Sequence, residues 1–149
     1  MGKIRVVDYN QLPWLYRSDG HAGEMVEVEP PGANGGARFP HPGSETELYL
    51  HEARAKPNAV IEAHVHRTDE IIYVTEGELH LGSRVLTPGC SVYIPGDTLY
   101  SFKAGPTGLT FLNFRGRRDT SHLSKDEFLK ERAERKLADH DQEEEQFTT

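Results

Sequence analysis

Cysteine is almost missing from this 149-residue chain. Cys90 is its only one, so no intrachain disulfide can form and a cysteine-ligated zinc site is excluded. Long apolar runs are missing too. No uncharged apolar stretch approaches the roughly 20 residues that a helix needs to cross a bilayer. The start of the chain, Met1-Gly2-Lys3-Ile4-Arg5-Val6-Val7-Asp8, lacks the apolar core of a signal peptide. These absences predict a soluble, cytoplasmic protein that does not associate with membranes. Basic clusters are scarce as well: 17 Lys and Arg stand against 24 Asp and Glu, for a formal net charge of −7. Without a basic patch or stripe, nucleic acid is not an expected partner. The chain also contains no Gly-x-Gly-x-x-Gly, no Walker-type loop and no nucleophile elbow, which leaves nucleotide binding unsupported.

What is present fits one domain with enough core to fold unaided. The first 46 residues read as an extension. A short strand is expected near Glu24–Glu29, followed by the breaker cluster Pro30-Pro31-Gly32-Ala33-Asn34-Gly35-Gly36 as a loop. From 47 to 118 the texture becomes a series of short β-like runs: Glu47–Ala55, Ala59–His66, Glu70–Thr75, Glu78–Leu86, Ser91–Ile94, Leu99–Lys103 and Leu109–Arg115. They are punctuated by Pro57-Asn58, Gly77, Pro88-Gly89, Pro95-Gly96 and Gly105-Pro106. Many short strands at this spacing predict an all-β sandwich or barrel. Ser124-Lys125-Asp126-Glu127 then has the form of a capping box. Phe128, Leu129, Ala133, Leu137 and Ala138 follow at near-helical spacing, so a C-terminal helix is expected over 124–139. Asp139, Asp141, Glu143, Glu144 and Glu145 predict an acidic, disordered tail over 140–149.

The chemistry gathers around His64-Val65-His66. Side chains two apart on a strand point to the same face, roughly 6–7 Å apart, so two imidazoles so placed can converge on one ion. Arg67-Thr68-Asp69 is a short connection, and a hairpin there returns Glu70 beside the histidines. Two histidines and one carboxylate with open positions suit Fe, Mn, Ni or Zn as a divalent ion. A lone His-x-His is weak by itself, because exposed strand histidines are common; the offset of Glu70, the strand parity and Gly77 add to it. Strand parity also nominates residues for the wall of a substrate pocket. Tyr49 and His51 alternate before this motif, Glu62 shares the face of His64 and His66, Phe102 shares the parity of a nearby Tyr100, and Asn113 that of Phe111 and Arg115. Asp69 points the opposite way from Glu70 and is expected in solvent.

His64-x-His66-x-x-x-Glu70, with six residues before Gly77 and opening from Pro57-Asn58, resembles the first cupin motif. Asn58 stands where the family usually has glycine, a mild departure because Asn tolerates positive φ. Gly89-Cys90-Ser91-Val92-Tyr93-Ile94-Pro95 resembles the opening of the second motif. That motif continues Pro-x-Gly-x-x-His, whereas here Pro95-Gly96-Asp97-Thr98-Leu99-Tyr100 follows. The glycine lies one place early, and the third histidine is Tyr100. The resemblance implies a double-stranded β-helix, or jelly-roll, barrel with the helix appended, and pairing into a homodimer through outer strands. It also implies a metal on His64, His66 and Glu70, with Tyr100 as a fourth ligand, as a hydrogen-bond donor or general acid/base, or as mere packing in a degraded site. With Glu70 and Tyr100 as candidate catalytic groups, it implies a metal-dependent small-molecule enzyme: a dioxygenase, lyase, isomerase or cyclase acting on an oxygen-chelating substrate. The alternative is a non-catalytic barrel that binds a small ligand without a functional metal.

Overall fold

The computed structural model describes residues 2–19, 24–119 and 121–147. After a single 3-10 turn at Tyr9–Gln11, β1 (Tyr16–Arg17) and β2 (Met25–Val26) form a two-stranded ribbon. The main sheet contains β3 (Gly35–His41), β4 (Tyr49–Ala55), β5 (Val60–Val65), β6 (Glu70–Leu81), β7 (Arg84–Leu86), β8 (Ser91–Ile94), β9 (Tyr100–Arg115) and β10 (Leu123–Ser124). The helix α1 spans Lys125–Phe147.

All pairings are antiparallel, and two long strands organise them. β9 pairs with β5 along Tyr100–Lys103 and with β4 along Leu109–Arg115. β6 runs beside β9 throughout, with β8 on its first half and β7 on its last. The β6–β9 pair therefore belongs to two layers, β3-β4-β9-β6-β8 and β10-β5-β9-β6-β7, which fold over one core. Ile72, Val74 and Phe111 from the first layer meet Leu79, Phe102 and Ala104 from the second. Burial of such side chains stabilises by about 1.5–3 kcal/mol each. The two expected runs on either side of Gly77 are thus one strand, as are the two on either side of Gly105-Pro106.

The bend between layers falls at Gly77, where the register of β6 against β9 shifts. Its φ is +71°, and a Cβ there would lie 2.1 Å from the carbonyl oxygen of Gly108. Pro106 sits in β9 opposite this break, between the paired residues Ala104 and Leu109, where no ladder donor is required.

Two expectations fail at the ends. Gly35-Gly36 is not loop but the start of β3, paired with Ala55 and Arg54. A Cβ at Gly35 would come within 1.9 Å of the Arg54 carbonyl, so these glycines permit close strand approach rather than a turn. The layer therefore extends into the expected extension. The preceding segment crosses the outer face of β3 and β4, with Trp14 held between the guanidinium groups of Arg38 and Arg54, 4.2 and 4.0 Å from its ring. At the other end, Ser124 caps α1 by accepting from the Glu127 amide at 3.2 Å. The helix runs on to Phe147, through residues expected as tail; positions 148 and 149 lie outside the described residues. Its first turns pack in cis on β5 and β10, and Glu131 pairs with Arg67 at 2.5 Å.

The glycine bend can be tested against a neutral position of the same backbone class. Gly82 also has positive φ (+59°), but nothing lies within 4 Å of a Cβ there. Gly82→Ala is expected to cost only the left-handed strain, about 1–2 kcal/mol. Gly77→Ala adds a backbone clash and is expected to lower the urea midpoint much further. Equal midpoints would remove Gly77 as the corner of the barrel.

Candidate functional site

Strand register assembles the site. Glu70, the first residue of β6, lies opposite Arg115 of β9, and Ile72 opposite Asn113. Across β9, Arg115 faces Tyr49 and Asn113 faces His51. From the other layer, His64 pairs with Tyr100, and β10 closes the far side of β5 with Ser124 opposite His64. His66 follows immediately after β5.

Each histidine is held from behind. His64 Nδ1 lies 2.7 Å from the carbonyl oxygen of Glu62, and His66 Nδ1 lies 2.6 Å from that of Ser121. A carbonyl only accepts, so both Nδ1 atoms carry the hydrogen and both Nε2 atoms present lone pairs to the centre. Burial holds both imidazoles below the ordinary histidine range, hence neutral. Arg115 adds to this at His66 and the neighbouring His122 at His64.

Glu70 is the most enclosed polar group, at 2% exposed. The Tyr100 hydroxyl donates to its Oε1. Asn113 Nδ2 donates to Oε2 at 2.8 Å, and Arg115 reaches the same oxygen through Nε at 3.3 Å and Nη2 at 3.2 Å. Burial first, and the Glu70 charge second, raise the Tyr100 hydroxyl far above a free phenol, so it keeps its proton. That single proton faces two acceptors, since Tyr100 Oη also lies 3.0 Å from His64 Nε2. The centre is therefore short of hydrogens: His64 Nε2, Glu70 Oε1 and the phenol oxygen converge on one proton, while among the described residues His66 Nε2 meets only Arg115 Nη2, at 3.5 Å. Such a donor set matches a cation in chemistry. In this conformation its atoms are engaged with one another. Among the described residues no three His, Cys, Asp or Glu side chains stand ready to coordinate, and Glu70 would have to give up Tyr100 to do so.

The expected pocket residues divide. Tyr49, His51 and Asn113 are brought to the same end of the barrel, with the Tyr49 hydroxyl 2.7 Å from His51 Nδ1. His51 packs among Phe39, Tyr49 and Phe111; burial, then Arg115, push its pKa down to about 3. The Oδ1 atom of Asn113 is buried without a partner among the described residues. Phe102 lies in the core, its ring parallel to Tyr100 at 6.2 Å, and so supports the tyrosine rather than lining a wall. Glu62 corrects the parity argument. The β5 register shifts between Ile61 and His64, leaving the Glu62 side chain exposed and its carbonyl at work. Asp69 is exposed as expected, receiving the Gly96 amide at 2.7 Å.

Sequence reasoning missed Arg115 as the partner of Glu70, although its parity with Asn113 was visible. It also missed the segment after β9. Asp119 accepts from the Thr68 amide (2.8 Å), the Thr68 hydroxyl (2.9 Å) and the Ser121 amide (2.8 Å). Burial raises its carboxyl, but these hydrogen bonds outweigh it and hold the group well below the usual range. Beyond it, the His122 ring lies on His64. No periodicity marks such a connection.

A cleft of about 800 Å³ lies outside this centre. Leu50, Phe114, Ile71 and Tyr93 form a cross-strand row on the face opposite Glu70 and line the cleft, which reaches Glu70 and Arg115 but neither histidine.

The cupin-domain family model matches residues 51–112. The fold is similar to the polyketide cyclase RemF from Streptomyces resistomycificus, at TM-score 0.62 and 20% identity, covering 83% of this chain and 86% of that one. It is also similar to an RmlC-like cupin from Shewanella frigidimarina NCIMB 400 (TM-score 0.56, 20% identity, 80% and 93% covered). The chain has a cupin-type fold. Its two layers are a cupin jelly roll, with α1 appended. The fold is similar as well to that of the DMSP lyase DddQ from Ruegeria pomeroyi DSS-3, at TM-score 0.56 and 16% identity, with 78% of this chain and 62% of that one covered. At these identities the likeness concerns fold alone. No curated protein matches the chain. Among the described residues no helix is long and apolar enough to cross a membrane.

The His51 imidazole, enclosed by Phe39, Tyr49 and Phe111, is expected to make the stability of this barrel pH-dependent. Its folded pKa is depressed, so the unfolded chain binds the extra proton. The contribution is complete above pH 6.5 and is lost as pH falls toward 3, by about 1.4 kcal/mol per pH unit. Urea unfolding at pH 7 and pH 5 should show a smaller loss for His51→Gln than for the parent chain. Identical losses would mean that His51 is not buried neutral.

Proposed function

We propose that this barrel is a metal-dependent small-molecule enzyme, its divalent ion held by His64, His66 and Glu70 with Tyr100 beside them. The observation that carries the reading is the pair of backbone carbonyls behind the histidines. Fixing Nδ1 in this way sets the tautomer and aims Nε2 inward, as metal-ligating histidines require. Iron, manganese, nickel and zinc all accept such a set. When bound, the ion would supply Lewis acidity toward a carboxylate, carbonyl or enol oxygen of the substrate.

The remaining work belongs to the chain's own groups. Tyr100 keeps a proton at Oη between Glu70 and His64, where it can hydrogen-bond an oxygen of a ligand or pass the proton to it. Arg115 and Asn113 hold Glu70 by Oε2, leaving Oε1 as the oxygen that can change partner. Asn113 Oδ1 and the Tyr49–His51 pair provide polar, uncharged contacts in the same enclosure. The neighbours span a polyketide cyclase, a DMSP lyase and an oxalate decarboxylase. Cyclase, isomerase, lyase and dioxygenase chemistry are therefore all candidate reactions for this barrel.

A second reading has its own support. Arg115 already gives the buried carboxylate a counter-charge at 3.2 Å, so the barrel could bind a small ligand without any ion. Elemental analysis of the untagged protein separates the two. The enzyme reading expects close to one equivalent of a transition metal, lost in His64→Ala and bound more tightly in Tyr100→His. No metal in any of them after reconstitution would leave the ligand-binding barrel.

We assign the outer apolar row to a second copy of the chain. Ile71 and Tyr93 are exposed in register with Phe114 and Leu50. Ile4 and Val6, on the segment that brings Lys3 and Arg5 to the same cleft, are 97% and 92% exposed. An exposed apolar row on the sheet, with exposed apolar residues on the segment beside it, suits a two-fold contact in which each protomer covers the other. Sedimentation at micromolar concentration should give a dimer that Ile71→Lys converts to monomer; a monomeric parent chain would overturn the assignment.

A further inference from the structure

The two motif histidines are oriented by different parts of the chain. His64 donates to the carbonyl of Glu62, two residues back on its own strand β5. His66 donates to the carbonyl of Ser121, 55 residues further along, in the strap that joins β9 to α1. That strap lies beyond the matched region 51–112. Whatever holds it in place therefore also holds His66.

Asp119 is built into that fastening. Its Oδ1 accepts from the Ser121 amide at 2.8 Å, and its Oδ2 accepts from the Thr68 amide and hydroxyl at 2.8 and 2.9 Å. The carboxylate thus spans from the residue that carries the acceptor to the turn that follows His66. The Ser121 side chain is held as well, its Oγ accepting from the Arg67 amide at 2.9 Å. With amide and hydroxyl both engaged, the Ser121 carbonyl is left directed at His66. The backbone carbonyl of Asp119 works in the other direction, accepting from Arg115 Nη1 at 3.2 Å. Arg115 in turn holds Glu70. One half-buried residue is linked to His66 on one side and to Glu70 on the other.

We propose that Asp119 is a positioning residue of the site, holding the Ser121 carbonyl so that His66 keeps its hydrogen on Nδ1 and presents Nε2 to the centre. The consequence for an ion rests on the metal reading above; the tautomer does not.

The test uses the full, metal-free chain with isotope-labelled histidine, at a pH where both imidazoles are neutral. Nitrogen chemical shifts report which ring nitrogen carries the hydrogen, and His64 is the internal reference because its acceptor lies in β5. In Asp119→Ala the two ring-nitrogen signals of His66 are expected to move toward each other, as the tautomer ratio changes about fivefold. Those of His64 are expected to stay. Asp119→Asn, which keeps one acceptor oxygen, should shift His66 the same way by less. A lower urea midpoint with His66 unmoved would make Asp119 a fastening of the turn alone and overturn the proposal. Chelator competition for zinc then reads the consequence, with affinity about tenfold weaker in Asp119→Ala. Equal affinities would overturn the role at the site. A parent chain that takes up no zinc would overturn the metal reading, and the histidine signals would still decide the role of Asp119.

Discussion

A carboxylate with almost no access to water organises this barrel. Removing a charge from solvent costs several kcal/mol unless partners replace the water. Glu70 obtains them from three stations on β9: Tyr100 at its start, and Asn113 and Arg115 at its end. Those stations can meet one side chain only because β9 spans both layers and β6 bends beside it at Gly77. The fold and the site therefore depend on the same register. A slip of β6 by one residue would turn Glu70 away from Arg115 and Asn113, and Ile72 and Val74 out of the core with it.

The charge balance around that carboxylate explains the chemistry of its neighbours. One buried cation, Arg115, offsets one buried anion. His51, His64 and His66 are kept uncharged by burial, and the phenol of Tyr100 is kept protonated by burial and by Glu70. Neutral imidazoles with their Nδ1 hydrogens already committed leave lone pairs without hydrogens to fill them. Either a cation or a hydrogen-donating ligand answers that deficit. The two readings of the barrel differ in which of these arrives, not in how the residues are arranged.

Much of this was legible before the structure, and the exceptions are instructive. The two-residue parity of His64 and His66, and the return of Glu70 after a short connection, were readable because strand periodicity and hairpin geometry are local. Glu62 was misplaced by that same parity, since a register shift inside β5 is set by pairing with β9 and leaves no local mark. Gly35-Gly36 has the composition of a loop, but the glycines are required by the close approach of Arg54 and Tyr16, a tertiary demand. The charged stretch beyond Asp139 has the composition of a tail, yet the helix begun by the Ser124 cap continues through it. For Tyr100, three roles were open. Oη, placed between His64 and Glu70, has two polar partners, which packing alone does not describe.

The strap from Asp119 to Ser124 carries the last lesson. It was unreadable because its segment has no periodicity, and its contacts join residues about fifty positions apart in the chain. Yet it supplies the acceptor that fixes the tautomer of His66 and the ring that covers His64. A barrel cut at its last long strand would retain both motif histidines and lose half of what orients them. In this barrel the motifs supply groups with suitable chemistry, and a short edge strand with its flanking turn gives those groups direction. The site is therefore a property of the whole chain from β5 to the first turns of α1, because orientation, unlike residue identity, is decided by what packs behind a side chain.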